Sequence, residues 1–351
     1  MQTDTTSSLL TTRQVTLLKG LAILSVLCIH FLTSLPEHVY TLAPQNFFFI
    51  TLDQLNRFCV PLFVALSGYG FAVKYQGREL KTKEFLVNQA KKLLPLYLLW
   101  SGIFMLTFYF LPWRALPMSV WWQQLLWGRA DYHLYFVPMI FQLYLLFPGV
   151  WWLIKRVPVW AVVAASFILQ AVLFQVYGQI LSGEIMTTWF RNDQLEYVFG
   201  LSWLFYFVLG IGLARTHFFN TRAAVVFKKW GWLGVGGVAA LLAYTAVRAI
   251  ALGTDPLYAL SFTRLTVMVF AAITILWLIA RQAFQTSLPK PLASSLVWLG
   301  SWSFVIYLSH TLFLRVIFGI WERTASPQDV ALALFFGCIG LLGSLFLKRL
   351  L

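Results

Sequence analysis

The chain is short of charge. Only 11% of its 351 residues are Asp, Glu, Lys or Arg, against about 25% in ordinary soluble domains. With 60% of the residues hydrophobic and a mean hydropathy of +0.76, so few charges cannot cover the apolar surface in water, which leaves lipid as the solvent. Cysteine is scarce too. Cys28, Cys59 and Cys338 all lie in apolar runs and form no CxxC pair, so buried thiols are expected, with no disulfide and no metal site. Polar linkers and low-complexity stretches are missing, which argues against separate soluble domains and for one membrane-embedded domain over 1–351 with a polar tail at 1–14. That tail has no basic n-region, and no small-residue cleavage site follows the first apolar run, so the run is expected to be a retained span and not a signal peptide. Acidic residues number 12 against 26 basic ones, a formal charge of +14. In a soluble protein that excess would suggest nucleic acid. Here most of it falls in short loops, and no nucleic acid is expected.

What the chain has is long apolar runs and aromatics, with 16 Trp, 14 Tyr and 32 Phe suited to interfacial belts. About 20 apolar residues carry a helix across the hydrocarbon core. Ten runs qualify, near 17–36, 56–73, 93–112, 133–153, 158–177, 197–214, 231–252, 262–280, 297–320 and 330–347. The apolar segment 46–51 suits a short interfacial helix leading into the second run. With the N-terminus in the cytoplasm, eighteen of the 26 basic residues fall on the cytoplasmic side, including six between Lys74 and Lys92. Cytoplasmic loops should be the basic ones. The expectation is therefore an all-α integral membrane protein, a bundle of about ten transmembrane helices with both termini cytoplasmic. Oligomeric state leaves no mark in the sequence.

Ionisable groups inside such helices are costly, and they mark function. Lys19 and His30 are eleven residues apart in the first run, about 1100° of helical turn and about 16 Å of rise. One helix face therefore carries a lysine near the cytoplasm and a histidine deep toward the far side. Lys19 alone fits a snorkelling helix end equally well. Ser67 and Tyr69 in the second run are placed to line a cavity, while Gly68 and Gly70 suit close packing. His133 and His310 fall toward the same side of the membrane as His30, His133 at a depth that also suits an aromatic belt. His38 and His217 fall in loops. The three deep histidines have no local ligand spacing, so a metal is not expected. A single imidazole, titrating near neutrality, suffices for general acid–base chemistry.

Five stretches together resemble the acyltransferase 3 family of bacterial ten-span membrane acyltransferases. The family's basic residue, ten residues and histidine are Lys19 to His30, with Lys where Arg is usual. Its Phe-Phe-x-Leu-Ser-Gly-Phe stretch resembles the segment from Leu62 to Tyr69. Its Arg-x-x-Arg-x-x-Pro is reduced to Gln89, Lys92 and Pro95, preceded by Lys91. His-Leu-Trp-Tyr resembles His133 to Phe136, and Ser-x-x-Ile-Tyr-Leu-x-His resembles Ser303 to His310. These matches cover about half the chain, and 158–291 carries no recognisable motif.

The resemblance implies an O-acyltransferase of the sugar O-acetylase kind in a bacterial cytoplasmic (inner) membrane. It would move acetyl from acetyl-CoA to a hydroxyl of a carbohydrate or glycolipid acceptor. No hydrolase-like domain follows the tenth run, so the bundle is expected to do all the chemistry. In that reading Lys19, Lys91 and Lys92 meet the donor phosphates, as point charges in place of the planar arginine fork. His30 is the base or acyl carrier, Ser67 and Tyr69 polarise the thioester carbonyl, and His133 and His310 orient the acceptor. A transporter or flippase for a lipid-linked sugar or small solute uses the same buried histidines and basic loops. It would call for corresponding broken helices in two halves, which the sequence does not display.

Overall fold

A computed structural model describes residues 9–34, 47–109, 119, 121–181, 195–216, 218, 221–251, 265–281 and 288–324. The tenth expected run, Cys338, His38 and His217 lie outside the described residues. Within them the chain is helical, with no strand. This is what lipid requires, since a helix satisfies its own backbone groups. The longer helices are α1 (Thr12–Thr33), α2 (Phe47–Leu55), α3 (Cys59–Tyr75), α4 (Thr82–Tyr109), α5 (Trp121–Leu126), α6 (Phe136–Ile154), α7 (Val159–Leu181), α8 (Leu204–Arg215), α9 (Arg222–Ala251), α10 (Leu265–Ala280), α11 (Lys290–Ser301) and α12 (Ser303–Thr324).

Five described stretches are long and apolar enough to cross a bilayer: Thr12–Thr33, Thr51–Tyr75, Phe136–Ile154, Val159–Tyr177 and Arg222–Thr245. The third expected run lies in the 28-residue α4. The sixth and eighth correspond to the shorter apolar helices Gly200–Arg215 and Leu265–Ala280. The ninth, 297–320, is not one continuous helix. It breaks at Trp302, and the two helices meet at 84°. Hydropathy cannot see this break, because both sides of it are apolar.

The chain divides into two compact units, Met1–Phe63 with Phe219–Leu351, and Val64–Phe218. In the first, α1 starts at a capping box, with Gln14 N–H donating to Thr11 Oγ1 at 3.3 Å and Thr11 N–H donating to Gln14 Oε1 at 2.8 Å. This satisfies backbone donors at the helix start. Helix α1 packs along α11 and touches α12, and α9 packs on α10. The α1–α11 crossing is backbone on backbone. A methyl on Gly20 would fall on the Leu296 carbonyl, and one on Gly300 on the Thr16 carbonyl. Thr16 meets Gly300 and Gly20 meets Leu296, so the two helices run antiparallel through the contact. Asp53 and Gln54 are buried in this unit, with Arg57 bound to Asp53 Oδ2 at 2.7 Å.

The second unit is built on an aromatic cluster. Phe71 lies with its ring centroid 5.0 Å from Phe85, 4.7 Å from Tyr144 and 5.1 Å from Phe147. Beyond Phe147 the cluster meets a basic rim, where Arg156 lies 4.1 Å over Trp152 and both Lys155 and Arg215 lie 5.5 Å over Trp151. Cations over indole rings suit an aromatic belt at a membrane surface. Within this unit Gly68 and Gly210 are both at a backbone crossing, against Phe207 and Ala65, whereas Gly70 faces open space.

Candidate functional site

In the first unit α1 carries Lys19 and His30 on a continuous helix, both half-buried. The residue after Lys19 is Gly20, so the lysine sits where α11 clamps α1. One α12 side chain meets His30: the rings of His30 and His310 lie 4.9 Å apart at 41°. His310 is 1% exposed. Its Nδ1 lies 2.7 Å from the Tyr307 carbonyl oxygen and 3.2 Å from that of Ile306. Both partners are acceptors, so Nδ1 carries the hydrogen and donates. In the neutral ring Nε2 is then the basic nitrogen. The bend at Trp302 makes this meeting possible: α11 stays flat on the start of α1 while α12 turns across toward its end. The second ring contact, Phe31 with Phe318 at 5.8 Å, holds the same crossing.

The second unit holds the other expected residues. Lys91 and Lys92 are exposed on α4, within one turn of Pro95. Ser67 accepts from Tyr144 Oη at 3.5 Å. Tyr69 is 1% exposed and lies two positions further on α3, about 200° around the helix. The two side chains therefore leave α3 on different sides. His133 stands at the opening of the fourth run. It lies in the turn before α6, which starts at Phe136.

That turn holds a residue for which the sequence reading found no role. Asp131, 3% exposed, places Oδ2 3.3 Å from Nδ1 of His133, which is itself 1% exposed. Asp131 Oδ1 accepts from the Tyr132 N–H at 2.8 Å. The signal was the Asp-x-His spacing at the head of an apolar run. Gly128 shapes the turn. Its φ is +65°, and a Cβ there would lie 2.6 Å from Tyr135 Cα and 2.8 Å from the Leu134 oxygen. Only glycine takes this conformation cheaply while letting the chain fold back so closely.

An apolar groove of about 1000 Å³ runs between α4, α5, α6 and α7, with Leu98, Trp122, Leu126 and Leu145 among its walls. Two polar groups in its walls have internal main-chain partners: Tyr97 Oη donates to the Leu125 oxygen, and the Gln142 amide bonds Val198 and Gly200.

Apolar helices of bilayer length mark a membrane protein. The chain belongs to the acyltransferase 3 family, whose model, described as "Acyltransferase domain", matches residues 13–349. It is a membrane acyltransferase. No curated protein and no solved structure matches the chain.

Proposed function

We propose that the chain is an O-acyltransferase of the bacterial cytoplasmic membrane, moving acetyl from acetyl-CoA to a hydroxyl of a cell-surface or lipid-linked carbohydrate. The observation that carries this reading is the His30–His310 pair, two imidazoles 4.9 Å apart at the end of the helix that bears Lys19. Lys19 takes a donor phosphate as a point charge, and the acyl arm lies along α1 for about 16 Å. His30 accepts the proton of the acceptor hydroxyl as its oxygen attacks the thioester carbonyl carbon. The C–S bond then breaks, and the proton passes to the CoA thiolate. His310, with its tautomer held by Tyr307, accepts from a second hydroxyl of the acceptor and so orients it beside His30. Lys91 and Lys92 are assigned to the donor phosphates by the loop charges, and Ser67 to the carbonyl by the family resemblance, whereas Tyr69, expected beside it, leaves α3 on the other side.

In this proposal both termini lie in the cytoplasm and the chain crosses ten times. Supporting this orientation, the basic ends of α6 and α8, both assigned to the cytoplasm by loop charge, meet on Trp151. The apolar groove, with Tyr97 and Gln142 internally bonded, favours a hydrocarbon over the amides of pantetheine or a sugar and supports a glycolipid acceptor. The test is transfer of labelled acetyl from acetyl-CoA to the glycan and glycolipid fraction, using purified full-length chain in detergent. His30→Ala is expected to abolish transfer while acetyl-CoA still binds, and Lys19→Ala is expected to weaken acetyl-CoA binding at least tenfold. Full transfer by folded His30→Ala defeats the assigned role, and a wild-type chain that ignores acetyl-CoA defeats the enzyme reading.

A further inference from the structure

Two helices of the second unit, α6 and α8, end together in cations that meet no counter-charge. We infer that Lys155, Arg156 and Arg215 form a clamp for the headgroup phosphate of an anionic phospholipid, on the membrane face where these helices end. The site goes beyond the acyltransferase reading and stands without it.

Geometry comes first. Lys155, just past the end of α6, and Arg215, the last residue of α8, each lie 5.5 Å from the ring centroid of Trp151. Trp151 is buried, so both helix ends are pinned to one fixed ring. Arg156 lies 4.1 Å over the neighbouring Trp152, which is exposed. The ring stack continues to α3. Trp151 meets Phe147 at 5.7 Å, Phe147 meets Tyr75 at 5.9 Å, and Lys74 lies 5.1 Å over Tyr75. Basic residues that only set orientation need no fixed place, whereas these are held by rings.

Charge comes next. Cations gathered on one ring repel each other, and no carboxylate offsets them. Glu79 and Glu84, which loop charge puts on this face, pair with none of them among the described residues, whose ion pairs are Arg57 with Asp53 and His133 with Asp131. The helix ends take up little of the charge. At the end of α8 the Gly212 carbonyl accepts from the Thr216 N–H at 3.0 Å and the Thr216 hydroxyl at 2.8 Å. At the end of α6 only Arg156 donates to a carbonyl, that of Trp152, at 3.3 Å. Arg215 is half-buried, and its Nε is buried without a hydrogen-bond partner among the described residues. A cation drawn out of water in this way calls for an anion, and phosphate accepts charge-assisted bonds from guanidinium and ammonium groups together.

The surroundings name the source of that phosphate. Trp152, Leu153 and Trp160 are exposed, an apolar flank on two helices of bilayer length. Lipid tails lie along such a flank while the headgroup stays at the cations, the way basic pockets between membrane helices take anionic headgroups. A soluble phosphate compound gains nothing from the flank.

The experiment titrates purified full-length chain in detergent with phosphatidylglycerol and, separately, with phosphatidylcholine. Native mass spectrometry reads the Kd of the first bound lipid. The wild type is expected to hold phosphatidylglycerol at least tenfold more tightly than phosphatidylcholine. Arg215→Gln and Lys155→Gln are each expected to weaken phosphatidylglycerol roughly fivefold, the effect of one cation near an anionic headgroup. Lys229→Gln is the control. It removes the same charge from another cation over an indole, 4.9 Å from the Trp230 centroid, and is expected to change the Kd less than twofold. Equal affinity for the two lipids overturns the clamp. So does an equal loss in Lys229→Gln, which marks a diffuse effect of net charge. A fall in acetyl-CoA affinity in Arg215→Gln with phosphatidylglycerol binding unchanged also overturns it, and gives the cations to a soluble phosphate. If Arg215→Gln does not fold, Lys155→Gln decides, because Lys155 is exposed. None of these readouts uses acetyl transfer, so failure of the clamp and failure of the acyltransferase reading are told apart.

Discussion

His310 spends one ring nitrogen on holding itself in place. Nδ1 donates to carbonyls of its own helix, leaving the chemistry to Nε2, beside His30. Asparagine reproduces the Nδ1 donor and lacks Nε2. His310→Asn is therefore expected to leave the thermal unfolding midpoint close to the wild type and to lower acetyl transfer about tenfold, the loss of one orienting hydrogen bond. Transfer at the wild-type rate would remove His310 from the site. Much at this scale was legible in the sequence. Lys19, His30 and His310 stand out because a charge or imidazole in an apolar run is expensive. What could not be read was that His30 and His310 touch, since they sit at opposite ends of the chain and no local pattern joins them. Asp131 was visible but lies in a turn, where a carboxylate is ordinary until its burial is known. The expected role of Tyr69 beside Ser67 looks different once α3 places them about 200° apart.

At the scale of elements, the α1–α11 crossing explains why a glycine follows the lysine. Backbones meet there without intervening side chains, the contact that small residues permit in membranes. Adding one methyl to a filled space costs about 1–3 kcal/mol, and at Gly20 and Gly300 the obstacle is backbone, which cannot rotate away. Gly20→Ala and Gly300→Ala are each expected to lower the thermal midpoint of the purified chain and to weaken acetyl-CoA binding by displacing Lys19. Gly70→Ala is the control. Nothing lies within 4 Å of its added methyl, and alanine favours a helix over glycine by about 1 kcal/mol, so its midpoint should hold or rise. If all three variants melt alike, the crossing has been misjudged. The sequence showed which glycines interrupt apolar runs. It could not say which of them pack, because that depends on the partner helix.

At the scale of the whole molecule, hydropathy located nearly every described helix, since lipid makes length and apolarity visible one residue at a time. It failed at the ninth run, where an 84° bend hides inside an unbroken apolar stretch. Loop charge predicts that this stretch still crosses. In a chain cleared of native cysteines, loop charge expects a thiol introduced at Leu288, just ahead of α11, to react with an impermeant reagent only from the cytoplasmic face and one at Thr324 only from the outer face. The antiparallel packing of α11 on α1, with Gly300 on Thr16 and Leu296 on Gly20, instead sets the start of α11 toward the outer end of α1 and expects both to react from the outer face. Labelling of both from one face would show a re-entrant segment. Everything downstream hangs on that bend, because a segment that enters and leaves by the same surface adds nothing to the tally of crossings. The parity of the molecule, and with it the compartment that receives the C-terminus, is decided at Trp302.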